Sequence, residues 1–371
     1  MLNVVIMAGG SGERFWPKSR EKRPKQLLPI GSKNTMLQET VKRAEALTSP
    51  KNIFIVTRIG LENEIHKQVS HIPKENIINE PFARNTAAAI GLANLIVQKR
   101  DNVSRDNISK DKNSITVVLP ADHIIKDIVQ FKKTITTACI AAEEGHLVTI
   151  GIKPSYPETG YGYIHRGDKI FTEYGSDTPG IFKVVEFREK PDLKTAREYF
   201  KKGEYYWNSG MFVWTTKCIE EAFKEYMPEL YKALKVIDNS LSSLLRDKII
   251  KGEYEKLDKI SIDYGVMERA ENVSVVEGLF DWNDVGSWLA LEKVYEKDDD
   301  GNIVVGDYIG IDTKDCILIG GKSPITTIGV SDLIIVNTGD VVLVCKKTEA
   351  QKVKKLLENI KKNKKLSKLV K

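Results

Sequence analysis

Apolar residues in the first 150 positions come in short continuous runs that alternate with amphipathic stretches. Residues 3–7, continuously apolar after Asn3 and ending beside glycines, show the pattern of a strand buried on both faces. Residues 35–47 place Leu37, Val41, Ala44 and Leu47 on one stripe, with Thr35 and Gln38 at capping-box spacing, and predict a helix. A strand over 53–57 follows, then an alanine-rich helix over 85–99 and a strand over 114–119 that stops at Pro120. A helix over 129–144 ends at Gly145, and a strand covers 147–150. Strands alternating with helices predict an α/β fold, a mainly parallel sheet covered on both faces. Ligands of such sheets bind at the carboxyl ends of the strands. The loops after Met7, Leu119 and Ile150 are therefore the ones to read for chemistry.

From about Gly301 the texture changes. Short β runs at 303–305, 316–319, 325–328, 333–336 and 341–345 follow one another, each interval punctuated by Gly or Asp. No helix intervenes before 349–360, and no strict repeat period is present. The pattern predicts a small second domain of stacked strands, with a boundary that divides the chain into 1–295 and 296–371.

Two domains suit 371 residues, and 41% apolar with 29% charged residues is the composition of an ordinary globular protein. The net charge of +6 gathers partly in a tail holding Lys361, Lys362, Lys364, Lys365, Lys368 and Lys371. Such a run is usually a solvated face. The alternative, a nucleic-acid or membrane contact, is disfavoured because no aromatic side chain interleaves the lysines. Cys139, Cys218, Cys316 and Cys345 form no C-x-x-C pair, which speaks against zinc or redox chemistry and suits a reducing compartment. The start has no positive n-region, and no stretch is long enough to span a bilayer. The expectation is a cytoplasmic protein that binds neither nucleic acid nor membrane.

After the first strand comes Gly9-Gly10-Ser11-Gly12-Glu13-Arg14-Phe15-Trp16-Pro17. Glycines at a strand end let backbone N–H groups approach a phosphate. The dinucleotide fingerprint fails, since Phe15 stands at its third glycine, and the G-K-[ST] of a P-loop is absent. A glycine turn alone is as often a plain tight turn. Here Arg14, Lys18, Arg20, Lys22, Arg23 and Lys25 crowd the same segment, kept out of helix by Pro17, Pro24 and Pro29, and together they make a candidate triphosphate site.

Asp122 follows the strand that ends at Pro120. It either caps a turn or binds magnesium beside phosphate oxygens. His123 next to it is not a ligand set by itself. A second acidic cluster spans Asp281-Trp282-Asn283-Asp284-Val285-Gly286. Asp122 and Asp284 would suffice for magnesium, although nothing in their spacing brings them together. Glu158-Thr159-Gly160-Tyr161-Gly162-Tyr163 is either a plain hairpin or a place where a sugar lies on the backbone. Glu189-Lys190 pairs a group suited to sugar hydroxyls with one suited to a phosphate, or forms a solvated loop. Asn208 precedes an expected strand at 211–214. Taken together, the segments alternate between phosphate and sugar chemistry.

These blocks resemble the sugar-1-phosphate nucleotidylyltransferases. Phe82-Ala83-Arg84-Asn85-Thr86, Phe187-Arg188-Glu189-Lys190-Pro191, Trp207-Asn208-Ser209-Gly210-Met211, Ser261-Ile262-Asp263-Tyr264 and Trp282-Asn283-Asp284-Val285-Gly286 narrow the resemblance to the mannose-1-phosphate guanylyltransferase, or GDP-mannose pyrophosphorylase, branch. The blocks keep the family's order over nearly the whole chain. The resemblance implies a Rossmann-like, glycosyltransferase-A-type core with a β-helix-like C-terminal domain. The implied reaction makes GDP-mannose and pyrophosphate from GTP and mannose 1-phosphate, with Mg2+ as cofactor and a homodimer as assembly. It implies that Gly9 and Gly10 lie near guanine and ribose, and that Arg84, Asn85 and Thr86 help read the base. Arg14 and Lys25 would hold the triphosphate, and Asp122 and Asp284 the metal. Gly162, Glu189 and Asn208 would hold mannose, and Lys190 its phosphate. Glu13 and Phe15 depart from the commoner Thr and Leu, so the Glu13 side chain is expected to turn away from the phosphates. Many bacterial members continue into a phosphomannose isomerase domain. The length of this chain leads us to expect no isomerase activity.

Overall fold

A computed structural model describes residues 1–104, 114–170, 179–321 and 323–370. Lys371, counted above with the basic tail, lies outside them. The chain forms two compact units, each built from separated stretches: Met1–Gly9, Thr40–Pro120 and Ile125–Trp282 make the first, and Gly10–Glu39, Ala121–Ile124 and Asn283–Lys371 the second. Among the described residues no helix is long and apolar enough to cross a membrane.

The first unit holds a nine-stranded sheet. Its strands are β1 (Leu2–Met7), β2 (Ile53–Arg58), β3 (Ile77–Glu80), β4 (Ile115–Pro120), β5 (Leu147–Ile152), β6 (Tyr163–Lys169), β7 (Ile181–Arg188), β8 (Tyr205–Thr215) and β9 (Val273–Gly278). They lie in the order β3-β2-β1-β4-β8-β5-β9-β7-β6. The half containing β3, β2, β1 and β4 is parallel, with Val5 opposite Phe54 on one side and Val118 on the other. Strand β8 runs antiparallel between β4 and β5, and β9 returns parallel to β5. The chain goes one way from β1 through β2 to β3 and then crosses to β4 on the other side. That reversal is where α/β sheets open a crevice for ligands.

The helices are α1 (Met36–Glu45), α2 (Glu62–Gln68), α3 (Asn85–Ser104), α4 (Ile128–Glu143), α5 (Leu193–Lys202), α6 (Thr216–Tyr226), α7 (Pro228–Ser240), α8 (Arg246–Lys256) and α9 (Val353–Lys362). The capping box expected at α1 is present: Gln38 N–H donates to Thr35 Oγ1 at 3.3 Å and Thr35 N–H to Gln38 Oε1 at 2.9 Å. Thr35 is thus the cap, and α1 is shorter than the stretch to 47. The alanines of α3 let it press closely on the sheet, where Ala87, Ala88, Ala89 and Ala93 share a core with Val5, Val56, Val118 and Trp214.

Two expectations need correction here. The strand foreseen at 211–214 begins at Tyr205, because Tyr205, Tyr206 and Trp207 pair with β6 before the ladder shifts register against β5. Gly210, at φ +68°, absorbs that irregularity, so Asn208 sits within a strand. The helix foreseen at 349–360 starts at Val353, after a 3-10 turn over Lys347–Lys352.

The second unit stacks β10 (Ile303–Val305), β12 (Ile317–Ile319) and β14 (Leu333–Asn337) in parallel, with β15 (Val342–Lys346) antiparallel on the last. The strands β11 (Tyr308–Ile311) and β13 (Ile325–Ile328) form a separate parallel pair. Ile303, Ile317 and Ile334 stand in register and are fully buried, and Ile319 and Val336 one rung on are buried too. The spacing of those isoleucines differs from coil to coil, which is why no fixed period appears in the sequence. The glycine-rich segment belongs to this unit. Phe15, Trp16, Leu28, Ile30 and Met36 share one apolar core with Ile303, Ile317, Ile334, Val353 and Leu357.

Candidate functional site

Two side-chain constellations stand out, one in each unit. In the second unit, Gly12, Arg14, Lys25, Asp122, His123, Asp284 and Gly286 line a cleft of about 320 Å³. The sequence left Asp122 and Asp284 unconnected; the fold puts both on this wall. Lys25 joins them: its Nζ donates to Asp122 Oδ2 at 2.9 Å and to the Asp284 backbone carbonyl at 2.6 Å. The lysine is 5% exposed, so its charge is held in place rather than solvated. Burial pushes the Asp122 carboxyl up, but the Lys25 ammonium and His123 outweigh that and hold it below the usual carboxylate range.

The backbone of the loop is set by Gly12, which caps a 3-10 turn over Glu13–Phe15 at φ +60°. Phe15 and Trp16 anchor it in the core, and the Trp16 indole N–H donates to the Leu369 carbonyl at 3.1 Å. Not every cation of the segment faces the cleft. Lys18 donates to the Gly320 carbonyl at 3.2 Å, and Arg20 pairs with Asp340 at 2.9 Å. These two tie the loop to the stacked strands, a correction to counting all six as phosphate ligands. Burial, then the neighbouring Arg23, lowers the Lys18 ammonium. Glu13 lines the cleft with its carboxylate paired to Lys361 at 2.7 Å. Lys354 on α9 lines it too, a cation the sequence reading missed, since nothing in a terminal helix marks it for this cleft.

Among the described residues no group of three or more His, Cys, Asp or Glu is arranged to hold a metal. Two carboxylates beside a polyphosphate are nonetheless what magnesium takes, with phosphate oxygens and waters completing its shell. Asp281, in the same acidic run as Asp284, has another task in the first unit. Its Oδ1 accepts from the Lys126 and Asp127 N–H groups, both at 3.0 Å, at the start of α4.

The second constellation lies in the first unit. The Asn208 backbone N–H donates to the Gly162 carbonyl at 2.8 Å, and its Nδ2 donates to Asp263 Oδ1 at 2.7 Å. Asn208 Oδ1 accepts from Thr149 Oγ1 at 3.3 Å and the Gly210 N–H at 3.1 Å. Glu189 packs over Gly162, where an added Cβ would lie 2.5 Å from Glu189 Oε2. Lys190, at φ +46°, pairs with Glu189. Gly162, Glu189, Lys190 and Asn208 are thus brought together. Asp263, quoted in the sequence only as part of a block, completes the group; burial raises its carboxyl, the Asn208 bond lowers it and Glu189 raises it further. Carboxylates, an amide and an ammonium on one wall match a polyhydroxylated ligand bearing a phosphate.

Arg84, Asn85 and Thr86 face other partners. Arg84 donates to the backbone carbonyls of Tyr254 at 2.8 Å and Glu255 at 2.6 Å, at the end of α8. Asn85, at φ +69°, accepts from the Thr86 N–H at 2.9 Å, and Thr86 Oγ1 accepts from the Ile262 N–H at 2.8 Å. Gly9 and Gly10 follow β1, and the Gly10 carbonyl accepts from Gln26 Nε2 at 3.1 Å.

Residues 3–301 match the family model described as nucleotidyl transferase, and residues 306–360 the one described as a MannoseP isomerase/GMP-like beta-helix domain. A mannose-1-phosphate guanylyltransferase of Salmonella montevideo is 41% identical over 97% of this chain and 74% of its own. One from Klebsiella pneumoniae is 39% identical over 98% of this chain and 74% of its own. A crystal structure from Thermus thermophilus, described as a mannose-1-phosphate geranyltransferase, superposes with a TM-score of 0.82 at 35% identity. It covers 97% of this chain and 99% of the other.

Proposed function

The chain belongs to the nucleotidyl transferase family, and we propose that it joins GTP to mannose 1-phosphate, forming GDP-mannose and releasing pyrophosphate. The observation that carries this reading is Lys25, bonded at once to the Asp122 carboxylate and to the Asp284 backbone in a cleft that Arg14 also lines.

A phosphate oxygen of mannose 1-phosphate attacks the α-phosphorus of GTP in line; the new P–O bond forms as the bond to pyrophosphate breaks. The nucleophile is already an anion, so no general base is needed. The obstacle is the approach of two polyanions, and catalysis consists of positioning and charge neutralisation. Arg14, Lys25 and Lys354 offset the triphosphate, and the glycine loop that lines the same cleft leaves room for it to approach the backbone. Asp122 and Asp284 would hold magnesium, which would supply further positive charge beside the triphosphate. Glu189 and Asn208, both packed against Gly162, hold the sugar hydroxyls, and Lys190 holds the sugar phosphate. A homodimer in the cytoplasm belongs to the same reading, and sedimentation equilibrium tests the assembly.

The decisive assay is pyrophosphate release from GTP with and without mannose 1-phosphate and magnesium. Release that requires all three supports the proposal. Faster release from UTP or dTTP with glucose 1-phosphate would assign the chemistry to another substrate pair. A site built to hydrogen-bond one base rejects another by roughly 10⁴-fold, so the two outcomes are well separated.

A further inference from the structure

The cleft that gathers Arg14, Lys25 and Lys354 also holds an opposing charge, the carboxylate of Glu13. Glu13 opens the 3-10 turn that Gly12 caps, one residue before Arg14. Its Oε1 accepts from Lys361 Nζ at 2.7 Å. Lys361 does not line the cleft; it stands near the end of α9 with its side chain 46% exposed. An ion pair at that exposure adds little to stability. It matters here for where it holds Glu13.

Packing enforces the pairing. Val353, Leu357 and Ile360 recur at helical spacing on α9 and are buried in the core that also takes Phe15 and Trp16. Lys354 and Lys361 lie about two turns apart and so share one stripe of that helix. Past the helix, the Leu369 carbonyl accepts from the Trp16 indole N–H at 3.1 Å, and the Val370 carbonyl accepts from the Glu21 N–H at 2.9 Å. The loop is thus tied to the chain on both sides of Lys361, and the ammonium meets Glu13 without having to find it.

Resting on the GTP reading above, we infer that Lys361 is a positioning residue. It latches Glu13 out of the triphosphate site, and an unlatched Glu13 competes with the nucleotide for the cations of the cleft. A glutamate side chain has staggered alternatives at χ1 and χ2. Once its ammonium partner is gone, the cleft it lines offers the carboxylate others, Arg14 and Lys354 among them. These are the charges that a triphosphate needs. The chain then carries its own competitor, which Lys361 keeps disengaged.

The test measures pyrophosphate release from GTP and mannose 1-phosphate in wild type, Lys361→Met, Glu13→Gln and the double variant. Methionine keeps an apolar stem and deletes the charge. Competition within the molecule lowers apparent affinity by the fraction of time the site is free, so a carboxylate on the cations about nine-tenths of the time raises KM about tenfold. Lys361→Met is expected to show that rise in KM for GTP, with kcat and KM for mannose 1-phosphate unchanged. Glu13→Gln has no charge left to compete, so it and the double variant are both expected to stay within about twofold of wild type. A purely structural role for Lys361 predicts instead a double variant as impaired as Lys361→Met. A general effect of charge predicts additive changes, with Glu13→Gln lowering KM by as much as Lys361→Met raises it. Either result overturns the latch, as does a Lys361→Met enzyme with the wild-type KM. A wild-type enzyme that releases no pyrophosphate from GTP refutes the GTP reading and the latch with it. Where wild type turns over GTP, the variants judge Lys361 alone.

Discussion

Gly12 lies directly against Lys25: a Cβ on Gly12 would stand 2.8 Å from the Lys25 backbone nitrogen. Gly12 also sits at φ +60°, where an L side chain is strained by about 1–2 kcal/mol. The obstacle is backbone, which no side-chain rotation relieves. Gly12→Ala is therefore expected to displace Lys25 and lower kcat by about 100-fold, the scale of one lost electrostatic contact. Wild-type turnover in a folded Gly12→Ala enzyme would refute the tie between loop and lysine.

Lys25→Ala and Asp122→Ala should each lose about 100- to 1,000-fold in rate. Steady-state rates within about tenfold of wild type would remove these residues from the proposed machinery. The pair also makes a titration prediction. Lys25 is the chief force holding the Asp122 carboxyl down against burial. Without the lysine, burial acts with less opposition and the carboxyl rises. The acid limb of the residual activity of Lys25→Ala should move to higher pH, and an unmoved limb counts against the coupling.

Lys354 is exposed on α9, so Lys354→Ala should leave the melting temperature unchanged. Binding of GTP should weaken by about tenfold, as one charge-assisted contact is lost. The effect should shrink at high salt. A binding isotherm indistinguishable from wild type at low salt would remove Lys354 from the site.

Gly162→Ala tests the other constellation. The new methyl group would meet Glu189 Oε2 at 2.5 Å and push the carboxylate aside. KM for mannose 1-phosphate should rise by about tenfold or more while KM for GTP stays put. Equal changes in both constants would indicate a general loss of folding instead.

Glu80 predicts a pH dependence of stability. Its folded carboxyl titrates near 8 against an ordinary value of 4.5. Between those limits the unfolded chain has released a proton that the folded chain keeps. Its contribution thus favours the fold below pH 4.5 and is lost as pH rises through 8. Glu80→Gln is neutral throughout, so without nucleotide its melting temperature should gain on wild type as pH is raised across that window. Parallel melting curves would show that the carboxyl is not held neutral.

Much of this was legible in residue order because local chemistry dictates it. The cap at Thr35, the stop at Gly145 and the end of β4 just before Asp122 each depend on neighbours a few positions away. Long-range partners were not legible. Lys18 and Arg20 look like phosphate ligands until Gly320 and Asp340 supply their partners. The bonds of Arg84 to the carbonyls at the end of α8 have no local signal either. Strand β11 was missed because Tyr308–Ile311 shows no inside–outside alternation, its last three residues all being exposed. Glu80 carries no mark at all in the sequence; its burial beside Tyr254 exists only in three dimensions.

The glycine loop shares its apolar core with strands and a helix that come some 300 residues later, among them Ile303, Ile334 and Leu357. During translation the loop therefore leaves the ribosome well before its anchoring surface. Phe15 and Trp16 can meet Leu28, Ile30 and Met36 early, but the rest of their core is complete only once residues near 360 are available. Until then the pair is an apolar surface of the kind that chaperones bind.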